Sequence, residues 1–347
     1  MKHRLFPSFR WLMALVALLT LSTSCVHEWP GLPETRKGRI LVKHELPWRL
    51  FEWNYSTRAD APAGPMAVRY IYEIYPAGTT ERAVARYTQI RTDISLADFY
   101  AELDLPVGEY DVYVWSDFIY QNSEQSLFYD AQDLSDIKVK STYKGNTENK
   151  DAFQGRFRIN VPSTIDQEVP HDYEVLLTRP LTAYAFLSTD LSEFIEQEVR
   201  RTGAPALDPS KIDPSDIASW APAIDFDHYT ARFYYTGYLP VEYSIFRDRP
   251  IDSATGVIYE GKMDIVNSDE VLIGFDYFFI NGRESSINVA IEIFDPKGEM
   301  VAAVPTVTVP VERGRATIVR GEFLTSKAHG GVGINPDFFG EFNVEIP

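Results

Sequence analysis

Few residues of this 347-residue chain are placed to do chemistry, and the first of them is its single cysteine, Cys25. It follows the small polar run Ser22, Thr23 and Ser24. Ahead of that run stand the basic residues Lys2, Arg4 and Arg10 and an apolar stretch from Trp11 to Leu21, interrupted by Thr20. A charged start, a short apolar core and a small-residue cleavage region make up a secretory signal. The apolar stretch is about half the ~20 residues a spanning helix needs. Export leads to an oxidising compartment, where cysteines are paired or absent, so a lone thiol calls for a use. Acylation supplies one, since more than one acyl chain gives stable anchoring. Residues 1–24 are therefore expected to be removed and Cys25 to be the lipidated start of the mature chain.

The remaining candidates are weaker in pattern. The six histidines are His3, His27, His44, His171, His228 and His329, and none has the i, i+4 partner of a helical zinc site. Asp225, Asp227 and His228 stand close enough to line a metal, but a solvated loop accounts for them far better, and no metal or cofactor is expected. There is no Gly-x-Ser-x-Gly elbow and no phosphate-binding loop. The glycine-rich "HGGVGINP" (329–336) lacks the Lys-Ser/Thr of such a loop and reads as turns. No spacing singles out a catalytic carboxylate pair. The chain is expected not to be an enzyme.

Aromatic side chains offer another kind of site. Trp48, Phe51, Trp53 and Tyr55 form one cluster, and Tyr229, Phe233, Tyr234, Tyr235 and Tyr238 form a second. Aromatic platforms hold sugars and anchor interfaces, so Trp48 and Trp53 are candidate ligand contacts. The competing account for both clusters is β-sandwich core.

Charge limits the partners. Removal of residues 1–24 takes away three of the 33 basic side chains and none of the 50 acidic ones. So acidic a surface repels nucleic acid. The 20 tyrosines and 21 phenylalanines, with frequent β-branched residues, favour strands. Residues 25–38 read as a tether rich in Pro, Gly and charge. Short alternating runs with turn signals then follow through residues 39–180 and again through 181–347, as expected of two tandem antiparallel β-sandwich domains. Val68, Tyr70, Tyr72 and Ile74 share one side of a strand, and residues 82–90 pair back on it. Residues 95–103 read as one or two helical turns, with Ser95 and Asp98 at capping-box spacing. Asn281-Gly282 is a hairpin signal, and Gly298 marks a further turn. One helix is expected over 190–201, with Asp190 at its N-cap, Glu193 three later, and Leu191, Phe194, Ile195 and Val199 on its apolar face. An irregular loop with several prolines follows at 203–227. "YEIYPAG" (72–78) resembles "IEIFDPKG" (291–298), and each is followed by a strand and a second alternating run, which reads as a repeat of one strand order in both domains.

"LSTSC" (21–25) resembles a lipoprotein signal, with Leu21 four places before the cysteine. "RYIYEIYPAG" (69–78), "VPVERGRATIVRGEFLT" (309–325) and "GGVGINPDF" (330–338) resemble fimbrillin-like surface lipoproteins of Bacteroidales. That resemblance implies transthyretin-like or Ig-like sandwiches, a lipid anchor in the outer membrane facing outward, and a role as an adhesin or as a fimbrial subunit or anchor. In polymerising members an Arg-specific cut near the first strand frees a groove that a neighbouring subunit's strand fills, which is strand addition to a sheet edge. Arg58, in "STRADAPAGP" (56–65), and Arg39 are the candidate cut sites. Asp252-Ser253-Ala254 is similar to the O-glycosylation acceptor of Bacteroidales secreted proteins, with Ser253 as attachment point. The expected partners are membrane lipid, fimbrial subunits, and a host or glycan ligand. The alternative function is a glycan-binding surface lipoprotein of a nutrient-uptake system.

Overall fold

A computed structural model describes residues 35–44, 64–92, 98–121, 126–163, 171–203, 221 and 224–326. The first half contributes β1 (Thr35–His44), β2 (Met66–Pro76), β3 (Ala85–Arg91), β4 (Phe99–Pro106), β5 (Gly108–Tyr120), β6 (Tyr129–Asp130), β7 (Ile137–Val139), β8 (Ala152–Val161) and β9 (His171–Leu177). The second contributes β10 (Leu181–Ser188), α1 (Leu191–Thr202), β11 (Thr230–Tyr235), β12 (Leu239–Ser244), β13 (Arg249–Ala254), β14 (Ile258–Lys262), β15 (Asp264–Ile265), β16 (Val271–Phe279), β17 (Glu284–Phe294), β18 (Met300–Glu312) and β19 (Ala316–Gly321). Among the described residues α1 is the one α-helix, and no helix is long and apolar enough to cross a membrane.

The strands build two sandwiches of the same design. In the first, β1 lies between antiparallel β4 and parallel β9, opposite a sheet of order β3-β2-β5-β8. In the second, β10 lies between antiparallel β16 and parallel β19, opposite a sheet of order β14-β11-β17-β18. Exchanging β1, β2, β3, β4, β5, β8 and β9 for β10, β11, β14, β16, β17, β18 and β19 turns one description into the other. The protein is thus mainly β, two tandem sandwiches with the helix on the second, and each sandwich has one parallel pair where its last strand returns beside its first.

The repeat occupies a different frame from the one legible in sequence. "YEIYP" closes β2, whose counterpart is β11, whereas "IEIF" closes β17, the counterpart of β5. The two segments share a strand running into a glycine turn, at Gly78 (φ 78) and Gly298 (φ 83). Asn281-Gly282 does not join a hairpin, because β16 and β17 belong to opposite sheets. It is a corner between layers, and only Gly282 has a positive φ there. The corner at Gly108 does the same between β4 and β5. Residues 99–103, expected as part of a helical turn, instead begin β4. Phe99, Ala101, Leu103 and Leu105 are buried while Tyr100, Glu102 and Asp104 face water, a period of two that overrides the capping signal.

Helix α1 buries Leu191, Phe194, Ile195 and Val199 and ends at Gly203 in the left-handed region, φ 65. Asp190 occupies the N-cap position without capping. Its carboxylate accepts hydrogen bonds from Ser188 Oγ and from the Leu324 and Thr325 amides, so it pins the segment after β19.

A third apolar layer joins the sandwiches. Ile71 and Tyr75 of β2, and Tyr113 and Trp115 of β5, meet Ala183, Ala185 and Leu187 of β10 and Phe275, Tyr277 and Phe279 of β16. A small sheet of order β13-β12-β7-β6 mixes strands from both halves beside this layer. This is why β10 and β16 are mostly apolar and buried at every position: both faces are covered. Between the halves, residues 143–151 pass into the second sandwich. Asn146, held at φ 54, donates from its backbone to Phe275 O at 2.8 Å and from Nδ2 to Lys262 O at 3.0 Å.

Glycines permit that passage. A Cβ on Gly145 would lie 2.6 Å from the Tyr259 ring, and one on Gly274 would lie 2.7 Å from the Phe233 ring. Those two rings are stacked on each other, 4.6 Å apart and 2° from parallel, so neither has slack. Gly145→Ala and Gly274→Ala are each expected to lower unfolding free energy by about 1–3 kcal/mol, read as a lower denaturation midpoint at unchanged slope.

Candidate functional site

Strand β1 and the slot that holds it form the candidate site. The strand pairs with β4 from Thr35↔Pro106 to Val42↔Phe99 and with β9 from Gly38↔His171 to His44↔Leu177. It begins at Thr35, inside the stretch expected as tether. Ile40 and Val42 point inward and are fully buried with Leu103 and Leu105 of β4 and Val175 and Leu177 of β9. The outward face is polar. The Arg39 guanidinium donates to both Asp172 oxygens at 2.9 and 3.0 Å and lies 4.8 Å over the Tyr100 ring, and Lys43 pairs with Glu174 at 2.9 Å. These pairs are largely exposed and set register more than they add stability.

The equivalent strand β10 differs in one respect. All eight of its residues are buried, from Leu181 to Ser188, because the shared apolar layer covers its outer face. Withdrawing β1 uncovers two large apolar side chains, about 1.5–3 kcal/mol each, and one core. Withdrawing β10 would open two cores. Of the two equivalent strands, β1 is therefore the less deeply buried.

His44 closes the strand. Its ring meets Phe153 edge-on at 5.2 Å and Tyr70 at 6.0 Å. Burial, and then the charges of Arg179 and Arg91, push its pKa down to about 4.

The other sequence candidates are dispersed. Cys25, Trp48, Trp53 and Arg58 lie outside the described residues, as does "GGVGINPDF". Ser253 sits on β13, the edge of the mixed sheet, with its side chain in water and its amide donating to Asp252 Oδ1 at 2.8 Å. His228 Nδ1 and Asp225 Oδ1 are 2.7 Å apart in a short 3-10 turn. Among the described residues no group of three or more His, Cys, Asp or Glu is placed to hold a metal. In the second aromatic cluster Tyr229, Phe233 and Tyr235 are core, Tyr234 is half-buried, and Tyr238 is 79% exposed.

Fold and site together describe a tandem β-sandwich protein whose strand β1 is covered on its inner face while its counterpart β10 is buried throughout. The chain belongs to a family of unknown function, DUF6562, whose model matches residues 36–347. No curated protein matches it. It is similar to several solved structures. One is a candidate polysaccharide-binding protein (DUF1812) from Bacteroides thetaiotaomicron, 13% identical over 77% of this chain and 80% of that one, TM-score 0.41. Another is a candidate adhesin from Bacteroides ovatus, 12% identical over 94% and 98%, TM-score 0.39. A third is the fimbrial anchor protein Mfa2 from Porphyromonas gingivalis, 10% identical over 77% and 82%, TM-score 0.34.

The depressed His44 pKa carries a pH dependence. Between pH 6.5 and 4 the unfolded chain takes up a proton at this position that the folded chain refuses, so stability falls as pH falls. Asp151, raised to about 6 chiefly by burial, acts in the opposite sense over part of this window, so His44 must be isolated by difference. Denaturation of the protein and of His44→Phe at pH 7 and pH 4 is expected to show a loss, specific to the histidine, of up to about 3 kcal/mol on acidification.

Proposed function

We propose that the protein is a non-enzymatic, lipid-anchored cell-surface protein of fimbrillin-like kind, acting as an adhesin or as a subunit or anchor of a fimbrium. The observation that carries this reading is the asymmetry between β1 and β10. A strand held by two ladders and two large apolar side chains, with its outer face in water, leaves behind a slot that another chain's strand can refill. The resemblance of residues 69–78 and 309–325 to fimbrillin-like lipoproteins supports the same reading.

The two roles exclude each other on one molecule. Cys25 precedes both Arg58 and Arg39, so a cut at either separates the lipid from the fold. A subunit is cut and exchanges β1; an anchor keeps β1 and stays attached. Arg39 is paired with Glu102 and Asp172 on its two sides, so a protease cannot take it in extended form while β1 is seated. Arg58 is the site expected to be used.

Lipidated protein treated with an Arg-specific protease is expected to give a product beginning at Ala59, followed by SDS-resistant ladders. Protein that resists the protease, or is cut and stays monomeric, would sink the exchange role. Cys25→Ser is expected to move the protein from the membrane to the soluble fraction, which checks the anchor separately. A glycan-array signal lost in Trp53→Ala would favour the nutrient-uptake alternative.

A further inference from the structure

The second sandwich holds a lysine and an aspartate in its dry interior. Lys150 Nζ lies 2.7 Å from Asp276 Oδ1, with the two side chains 1% and 0% exposed. Lys150 is the buried lysine among the described residues. It belongs to the segment passing in from the first half, and Asp276 belongs to the central strand β16, 126 positions away. The Nζ also lies 3.7 Å over the Tyr143 ring. The hydroxyls of Tyr143 and Tyr235 both donate to Asp276 Oδ2, and the Tyr277 amide donates to Oδ1 at 2.8 Å. Tyr184 donates to Tyr235 at 3.0 Å and contacts Tyr259 at 3.2 Å, so the carboxylate ends a chain of buried hydroxyls.

We propose that Lys150 and Asp276 condense to an intramolecular amide, a covalent brace between the two halves of the chain. The pieces for that reaction are present. Burial pushes the Lys150 pKa down despite the carboxylate beside it, which favours the neutral amine that can attack. Burial raises the pKa of Tyr143 and Tyr235, so both stay protonated as donors. In the step itself, an ammonium proton passes from Nζ to Oδ1, and the freed Nζ lone pair forms a bond to Cγ. The negative charge that develops on Oδ2 falls where the two tyrosine hydroxyls already point, as in an oxyanion hole. A second proton then moves from Nζ to Oδ1, the Cγ–Oδ1 bond breaks, and Oδ1 leaves as water. The ammonium's three protons end as one on the amide nitrogen and two on water, and the net charge of the pair is zero throughout, so no other reactant is required. Tyr143 and Tyr259 also line a cavity of about 110 Å³, which has room for the departing water. Exclusion of bulk water opposes the reverse hydrolysis.

The chemistry is selective. Arg179–Asp151 and Arg69–Asp117 are also buried ion pairs, but a guanidinium stays charged and is no nucleophile. Lys43 and Lys138 pair with carboxylates in water, where attack competes with solvation. As an ion pair alone, Lys150–Asp276 adds little net stability for its desolvation.

The test is a tryptic map of the folded full chain, digested after denaturation. The expected product is a branched peptide joining residues 145–156 to 263–283, lighter than the sum of its parts by one water. Lys150→Arg is expected to abolish it, and Tyr143→Phe combined with Tyr235→Phe is expected to leave a mixture of joined and free peptides. Recovery of the free 263–283 peptide and of cleavage after Lys150 in the unaltered protein overturns the proposal and leaves an ion pair. Water loss that maps to another residue overturns it equally. The unaltered protein decides the matter even if the Lys150→Arg chain does not fold.

Discussion

A carboxylate in the middle of a strand buried on both faces has to be met by a cation or by hydrogen bonds, because an unmatched charge there costs several kcal/mol. Asp276 is such a group, and the cation that meets it, Lys150, comes from outside its own sandwich. That requirement explains why residues 143–151 enter the second sandwich at all. Their entry in turn demands bare backbone at Gly145, Gly261 and Gly274, where a Cβ would strike Tyr259, Asn146 or Phe233. It also places Arg179 and Asp151 together at the seam, joined at 2.8–2.9 Å. The two sandwiches are therefore joined by a polar bolt as well as by the apolar layer of Trp115, Tyr277 and Phe279.

The shared layer also separates two strands that topology makes equivalent. β1 and β10 hold the same place in the same strand order, yet among the described residues only β10 has an apolar layer packed on its outer side. A duplicated fold therefore carries one copy of the strand covered on both faces and one covered on its inner face. The difference lies in what packs outside each sandwich, since the strand order within them is the same.

Much of this was legible in sequence where one local rule governed. The alternation of Val68, Tyr70, Tyr72 and Ile74 found the face of β2 that enters the first core, and the i, i+3, i+4, i+8 spacing in α1 found the helix. It failed where two rules competed. At 99–103 a capping spacing outvoted the alternation of Phe99, Ala101 and Leu103. At Asn281-Gly282 a turn does occur, but with only Gly282 at positive φ, and a turn cannot say whether its strands pair or change layers. Asp190 stood at the correct position, yet its oxygens were claimed by residues 324 and 325, far along the chain. The Lys150–Asp276 pair escaped notice although "VLIGFDYFF" (271–279) held the clue: a lone charge in an unbroken apolar run must have a partner. Nothing local names that partner, since Lys150 sits in a polar stretch, "STYKGNTENKDAF" (141–153), with no apolar periodicity.

The placement of β1 also has a mechanical consequence. Its ladders to β4 and β9 run along the strand, and Thr35 is one end of it. A pull at Thr35 along the strand axis loads the rungs of both ladders together, in shear, so they must yield at once. A pull across the axis opens the same rungs singly, from one end. The strand is therefore a grip whose strength depends on direction, firm against tension along the chain and weak against peeling.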